Sequence, residues 1–212
     1  MLTPTETGYY LRGDFSFFMK LREWPLSTIA HLSLAEYDRI VDSGLFDGKN
    51  QRRIELIHGE LRELTPIGPA HEDVVDRLTE WSYEHVPMDR VRIRTQHSIG
   101  LRTSQSVPQP DIAWVAQRDY SLGRPTAADV FLMVEVAEGN FSYDRGEKAD
   151  LYAAAGIADY WVVNLPEQSI EVRRDPANGR YRTLRTYTGD EELRPLSVPE
   201  IVLRPAALWA AG

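Results

Sequence analysis

The chain has 212 residues, of which 42% are hydrophobic and 26% charged, a composition that predicts one ordinary globular domain and excludes disorder throughout. It contains no apolar run of about 18 residues, no clean secretory signal and no cysteine. This excludes a membrane-spanning helix, disulfides, zinc–thiolate sites and a cysteine nucleophile, and it suits a reducing cytoplasm. The net charge of −8 argues against a broad basic surface but fits an enzyme that keeps acidic residues for a divalent metal.

The pattern of apolar residues predicts an N-terminal arm over residues 1–30 and a single domain over residues 31–212. Ser33 and Glu36 form a capping box that begins a short helix. The later elements are a hairpin over 53–64, a helix over 70–85, strands over 90–101, 111–115 and 129–137, a helix over 142–156, a strand over 160–164 and a hairpin over 169–187. This order predicts an α/β (α+β) domain with a mixed sheet.

Two acidic residues fall on core-like faces of predicted strands. Alternation places Asp111 in one row with Ala113 and Val115, and it places Glu135 in the apolar row of strand 129–137. A buried carboxylate must be paired, protonated or bound to metal. For either acid alone, a solvated or ion-paired strand end is the simpler interpretation, but two such acids on neighbouring strands favour a functional site.

The helix that follows the second acid brings a lysine toward the same place. Asp144, Lys148, Leu151, Tyr152 and Ala155 share one helical stripe, and the apolar members require the core. The alternative is that Lys148 extends its ammonium to water along the core surface. The two carboxylates supply a partner, which favours a site in which acids hold a divalent cation and a lysine stabilises charge on a phosphoryl group.

An ordered set of motifs runs through most of the chain. It comprises Glu55-Leu56-Ile57-His58-Gly59-Glu60-Leu61, Gly68-Pro69-Ala70-His71, Pro108-Gln109-Pro110-Asp111, Val134-Glu135-Val136-Ala137, Tyr143-Asp144-Arg145-Gly146-Glu147-Lys148, Tyr152-Ala153-Ala154-Ala155-Gly156-Ile157 and Tyr160-Trp161-Val162-Val163. With these motifs the sequence resembles, from about residue 32 to 209, the Uma2-type (DUF820) endonucleases, a bacterial branch of the PD-(D/E)XK nucleases.

This resemblance implies a restriction-endonuclease-like core, with a mixed central sheet flanked by helices, and cleavage of phosphodiester bonds in DNA with Mg²⁺ or Mn²⁺. Asp111 matches the first acid of the motif and Glu135 the second, and these two residues are the expected metal ligands. Ala137 stands where the motif has its lysine, and the resemblance assigns that role to Lys148 on the following helix. DNA is the expected partner, a homodimer is compatible with this interpretation, and no membrane association is expected.

Four further residues are candidates for the site. The resemblance favours Glu55 as a further acid of the catalytic site, although a two-residue turn also places it opposite Arg62, as in an ordinary cross-strand ion pair. His71 could contact a phosphate, but a histidine at a helix start is more often solvated. Gln109 could reach the substrate or be a strand-end amide bonded to backbone. Arg145 could bind a phosphate or be an exposed helical arginine.

Arg90, Arg92 and Arg94 alternate with apolar residues and project from one strand face. They are the best candidate for a nucleic-acid contact. The alternative is an edge strand whose charges prevent aggregation.

Three functions remain open on the sequence. The first is a metal-dependent endonuclease acting on DNA. The second is a catalytically weak or silent DNA- or protein-binding module that retains the nuclease fold, and the third is a metal-dependent phosphodiesterase for a smaller substrate. Glu135 and Lys148 together favour catalysis, whereas the acidic net charge favours the other two.

Overall fold

The computed structural model describes residues 29–47, 52–139 and 143–209. The predicted arm lies outside these residues except for its last two positions, so its structure remains a prediction. The helices and strands, all within the compact unit His31–Gly212, are α1 (Leu34–Asp42), β1 (Ile54–Ile57), β2 (Glu60–Glu63), α2 (Pro69–His85), β3 (Val91–Thr95), β4 (Ile112–Ala116), β5 (Val130–Ala137), α3 (Ala149–Ala154), β6 (Asp159–Asn164), β7 (Ser169–Ala177) and β8 (Arg180–Thr188). Within the described ranges no helix has the length and apolarity needed to cross a bilayer.

Strands β3 to β8 form a six-stranded sheet in sequence order, and β1 and β2 form a separate hairpin. Within the sheet β5 and β6 are parallel, and the other neighbours are antiparallel. Parallel neighbours require a crossover connection, which here contains α3. The expected mixed sheet is therefore confirmed.

Both faces of the sheet carry apolar side chains because the strands alternate their side chains between faces. On one face Trp114 and Trp161 pack with Val74 and Leu78 of α2. On the other face the core contains Met133 and Val162 of the sheet together with Leu151 and Tyr152 of α3. The sheet thus lies between α2 and α3, as the resemblance implied.

Two tight turns close the predicted hairpins. His58 and Gly59 have φ values of 51° and 81°, and Asn178 and Gly179 have values of 52° and 74°. Two consecutive positive φ values are the geometry that matches the twist of a two-residue hairpin. A Cβ on Gly59 would lie 2.7 Å from the Cβ of His31, so this turn also requires glycine for space.

The helix predicted over residues 142–156 is less regular than expected. Its described part begins with a π-helical turn, Asp144–Lys148, continues as α3 and ends before Gly156, whose φ is +82°. A π turn holds more residues than an α turn, and such turns often occur at functional sites. Here the wider turn allows Tyr143, Asp144 and Lys148 to line one cavity.

Candidate functional site

A cavity of about 190 Å³ lies at the start of β4 and the end of β5, beside the first turn of α2 and the π-helical turn. The side chains that line it include His71, Gln109, Asp111, Glu135, Tyr143, Asp144 and Lys148. Five of these seven residues are candidates from the sequence, and they come from four separate segments of the chain. The fold therefore brings together both predicted metal ligands, the predicted lysine, His71 and Gln109.

The sheet register places the two predicted metal ligands opposite each other. Ile112 pairs with Val134 in the antiparallel ladder between β4 and β5, so the next step sets Asp111 opposite Glu135. Directly opposed residues point to the same face, with Cβ atoms about 4.5–5.5 Å apart. Both side chains are buried, as the alternation predicted.

Asp111 is held by two close contacts. The backbone N–H of Val136 donates to Oδ2 at 2.9 Å, and Nε2 of His71 lies 3.1 Å from the same oxygen. Burial favours a higher pKa for Asp111, but the hydrogen bond and charge of His71 and the N–H of Val136 outweigh it and lower the pKa. Burial likewise favours a lower pKa for His71, and Asp111 outweighs it and raises that pKa.

The expectation that His71 would be solvated is wrong, because its exposed fraction is only 5%. Gly68 is the N-cap of α2 and Pro69 is its first residue. The helix therefore starts at the cavity, and its first turn carries His71 against Asp111 rather than into water.

Lys148 and Glu135 form a buried ion pair. The ammonium donates to Oε1 of Glu135 at 3.0 Å, and the hydroxyl of Tyr152 donates to the same oxygen at 2.7 Å. Lys148 is only 4% exposed, so its ammonium does not extend to water. Burial favours a lower pKa for Lys148, but the charges of Glu135, Glu55 and Asp144 outweigh it and raise the pKa.

Glu55 lies with the cavity residues rather than in a cross-strand ion pair. It is opposite Arg62 in the hairpin register, as predicted, but Arg62 pairs instead with Glu60 at 2.6 Å and Glu147 at 3.3 Å. Oε1 of Glu55 accepts the backbone N–H of Gln109 at 2.6 Å and lies 3.4 Å from the Lys148 ammonium. The bridge between Leu56 and Val107 explains this, because it packs β1 against the segment before Gln109 and buries Glu55 there.

Asp144 shares the helical stripe of Lys148 in the sequence, and the structure places it in the cavity wall. Burial raises the pKa of Asp144 to about 6 and that of Glu135 to about 8, although Lys148 lowers both. The values stay high because Asp111 and Glu55 add further negative charge nearby. Four carboxylates, those of Asp111, Glu135, Asp144 and Glu55, thus lie around Lys148 and His71, and a bound divalent cation would relieve the crowding of acids that raises these two pKa values.

The donor set fits a hard divalent cation. In the described residues no group of three or more His, Asp or Glu side chains is arranged to hold a metal. Magnesium is usually bound by one or two carboxylates, with waters and substrate phosphate completing its coordination. Asp111 and Glu135 match that pattern.

The other sequence candidates lie in different surroundings. The side-chain amide of Gln109 donates to the carbonyl of Ile54 at 2.9 Å, so it is bonded to backbone even though it lines the cavity. Nε of Arg145 lies 3.2 Å from Glu171 on β7, and Arg145 is not among the cavity-lining residues.

Arg90, Arg92 and Arg94 follow edge strand β3. Arg94 pairs with Ala113 and Arg92 with Val115 in the β3–β4 ladder, so they share the sheet face of Asp111. None of the three arginines lines the cavity.

Two tyrosines join the site without having been predicted as members. Tyr152 lies one helical turn after Lys148, so the same i, i+4 spacing could have identified it. Tyr143 has its ring 5.5 Å from the Lys148 ammonium, and its buried hydroxyl has no hydrogen-bond partner among the described residues. Tyr143 faces the cavity because a π-helical turn follows it, and no clear pattern in the sequence predicts such a turn.

A mixed sheet between helices, with acids on adjacent strands and a buried lysine beside them, defines a restriction-endonuclease-like domain. The sequence model of the Uma2 family, described as "Putative restriction endonuclease", matches residues 34–206. The chain therefore belongs to the Uma2 family.

A solved structure supports the same fold. The crystal structure of "a putative nuclease belonging to DUF820" from Anabaena variabilis superposes with a TM-score of 0.65 at 14% identity, covering 84% of this chain and 97% of that one. At this identity the likeness shows the fold alone. No match was found among the curated proteins.

Proposed function

We propose that the protein is an endonuclease that uses a divalent metal to hydrolyse phosphodiester bonds in DNA. The proposal rests mainly on the contact between Lys148 and Glu135. The Lys148 ammonium lies 3.0 Å from Glu135, and the sheet register sets Glu135 opposite Asp111. Membership of the Uma2 family supports the reaction class. The metal, the substrate and the roles of individual residues are the parts that we propose.

Asp111 and Glu135 would hold Mg²⁺ or Mn²⁺. When bound, such a cation neutralises charge on the phosphoryl group and lowers the pKa of a water molecule. His71 and the N–H of Val136 orient Asp111, while Tyr152 orients Glu135.

Lys148 acts in this proposal through its charge rather than as a base. Its raised pKa keeps the ammonium protonated near neutral pH. A fixed positive charge in a site shielded from water stabilises the negative charge that builds on phosphate oxygens during hydrolysis. Glu55 and Glu135 hold this ammonium in place.

Incubation of purified protein with supercoiled and linear DNA, in Mg²⁺, Mn²⁺ or EDTA, tests the proposal. We expect metal-dependent cutting of closed circles, and we expect Asp111→Asn to abolish it while the protein remains folded. Asp150→Asn, which neutralises an exposed acid of α3, is the matched control. If the wild-type protein leaves DNA intact with both metals, the nuclease proposal is wrong, and a module that retains the fold without catalysis is the better account.

A further inference from the structure

We infer that Arg92, Arg94 and Arg118, arranged on the ring of Tyr120, form a second phosphate-binding site for the DNA backbone, separate from the cavity. We call these four residues the arginine–tyrosine cluster. The inference rests on the proposed function, since it takes the polymer cleaved at the cavity as its ligand. Arg118 and Tyr120 come from the loop after β4 and were not candidates from the sequence.

The cluster is built around one aromatic ring. The guanidinium carbons of Arg92, Arg94 and Arg118 lie 6.0, 5.7 and 5.5 Å from the centroid of Tyr120. The hydroxyl of Tyr120 donates to the carbonyl of Ala116 at 2.9 Å, which fixes the ring against the end of β4. Cation–π contacts of this kind limit the motion of the arginines, so less conformational entropy is lost when they bind an anion.

One guanidinium of the cluster has an N–H donor without a hydrogen-bond acceptor in the described part of the chain, and an anion could be that acceptor. Nε of Arg94 is buried and has no hydrogen-bond partner among the described residues. Burial lowers the pKa of Arg94 most, and repulsion by the charge of Arg92 lowers it further. A phosphate oxygen would relieve this repulsion and satisfy the buried donor.

The acidic residues nearby neutralise the cluster only in part, because three guanidinium groups face two carboxylates, those of Asp129 and Asp119. Asp129 pairs with Arg118. The carboxylate of Asp119 accepts hydrogen bonds from the backbone and hydroxyl of Ser121, at 2.8 and 3.0 Å. Arg92 bonds to a neutral partner, the amide oxygen of Gln117, at 3.1 Å. The cluster therefore keeps positive charge for a ligand although the whole chain is acidic.

The cluster lies on the same face of the sheet as the cavity, a short distance along β4. The side chains of Arg94 and Arg92 share the sheet face of Asp111, and their β4 partners, Ala113 and Val115, lie two and four residues further along the strand. At about 3.3 Å per residue these rows are roughly 7 and 13 Å from Asp111. DNA rises about 3.4 Å per nucleotide along each strand, so the cluster would contact phosphates about two to four nucleotides from the bond that is cut.

Because the cluster lies outside the cavity, a small substrate and DNA should respond differently to changes in the cluster. A small phosphodiester such as bis(4-nitrophenyl) phosphate would occupy only the cavity, whereas DNA would also contact the cluster. Replacing the arginines should therefore weaken DNA binding and leave hydrolysis of the small phosphodiester unchanged.

Fluorescence anisotropy with a labelled 30-base-pair duplex, in EDTA and over a range of salt concentrations, tests the inference without requiring cleavage. Arg92→Gln/Arg94→Gln should raise Kd about ten-fold or more and lower the slope of log K against log salt by about two. Arg180→Gln/Arg182→Gln is the matched control, because it removes the same charge from β8, the opposite edge of the sheet. Arg118→Gln keeps the test valid if the double variant fails to fold, since the side chain of Arg118 is 56% exposed.

An unchanged affinity and salt slope in both cluster variants would overturn the inference, as would equal losses in the control. Hydrolysis of bis(4-nitrophenyl) phosphate with Mn²⁺ distinguishes this failure from failure of the proposed function. If the wild-type protein hydrolyses it and the cluster variants bind DNA normally, only the cluster is wrong. If the wild-type protein cleaves neither substrate but the cluster variants lose DNA binding, the catalytic proposal is wrong and the DNA-binding site stands.

Discussion

The ammonium of Lys148 lies 3.0 Å from a carboxylate oxygen of Glu135, thirteen positions earlier in the chain. The crossover from β5 to the parallel strand β6 explains this contact. That crossover contains α3, which packs on the sheet face that carries Glu135. Lys148 lies in the π-helical turn directly before this helix. In the proposed mechanism it supplies the positive charge that a lysine at position 137 would supply, where Ala137 is buried in the core.

Replacing Lys148 with Met should lower the cleavage rate by roughly 10²-fold or more, the scale expected when a preorganised charge is lost. The methionine keeps the stem of the side chain out to the ε carbon and removes the charge, and Asp111 and Glu135 remain able to bind metal. Metal affinity should therefore persist or increase. Rates at saturating Mn²⁺, together with calorimetric titration of Mn²⁺, separate the two effects.

Lys148→Arg is the companion variant, because it keeps the charge but places a larger, planar guanidinium group in a pocket that fits an ammonium. It should restore little of the lost rate. Cleavage by Lys148→Met at the wild-type rate would remove the lysine from the mechanism.

Tyr152→Phe removes the 2.7 Å hydrogen bond to Glu135 and leaves the ring in place. We expect a stability loss of about 1 kcal/mol and a higher Mg²⁺ concentration for half-maximal activity, since Glu135 is held less firmly. Tyr83→Phe, at an exposed tyrosine of α2, serves as the control. An unchanged Mg²⁺ requirement would mean that Lys148 alone positions the carboxylate.

Metal affinity should rise with pH between about 5.5 and 8.5. The pKa values of Asp144 and Glu135 are raised to about 6 and about 8, so protons compete with the cation as the pH falls through this range. Calorimetric Mn²⁺ titrations at several pH values should show proton release on binding, with a weaker dependence in Asp144→Asn. An affinity that is constant over this range would contradict the electrostatic picture of the cavity.

A second buried charge supports the fold away from the cavity. Asp159 is fully buried and accepts hydrogen bonds from Arg174, from the indole N–H of Trp161 and from the backbone N–H of Leu196. Asp159→Ala leaves Arg174 without its buried partner and should cost about 3–5 kcal/mol. Urea unfolding measures this loss, and Asp76→Ala on the exposed face of α2 should change stability by less than about 0.5 kcal/mol. Equal losses in the two variants would contradict a special role for Asp159.

Local patterns were enough to predict much of the fold. Asparagine and glycine at 178 and 179 identified one hairpin turn, alternation placed Asp111 and Glu135 on one face, and helical spacing turned Lys148 inward. Each of these signals depends on nearby residues, which is why they can be read from the chain alone.

The remaining features depend on contacts between distant segments. The packing of β1 against residue 107 places Glu55 beside the cavity residues rather than in an ion pair with Arg62. His71 is buried because α2 begins beside Asp111, and a loop after β4 brings Tyr120 to the arginines of β3. No periodicity encodes such contacts, so the sequence left them open.

We expect Asp111 and Glu135 to bind one divalent cation together. Anomalous diffraction from crystals soaked in Mn²⁺ is the decisive measurement, because the signal identifies the metal and its position. A peak should appear in the cavity within about 2.0–2.6 Å of a carboxylate oxygen from each residue, and it should disappear in Asp111→Asn. A peak that contacts neither residue, or no peak at millimolar Mn²⁺, would show that these two carboxylates are not the metal ligands.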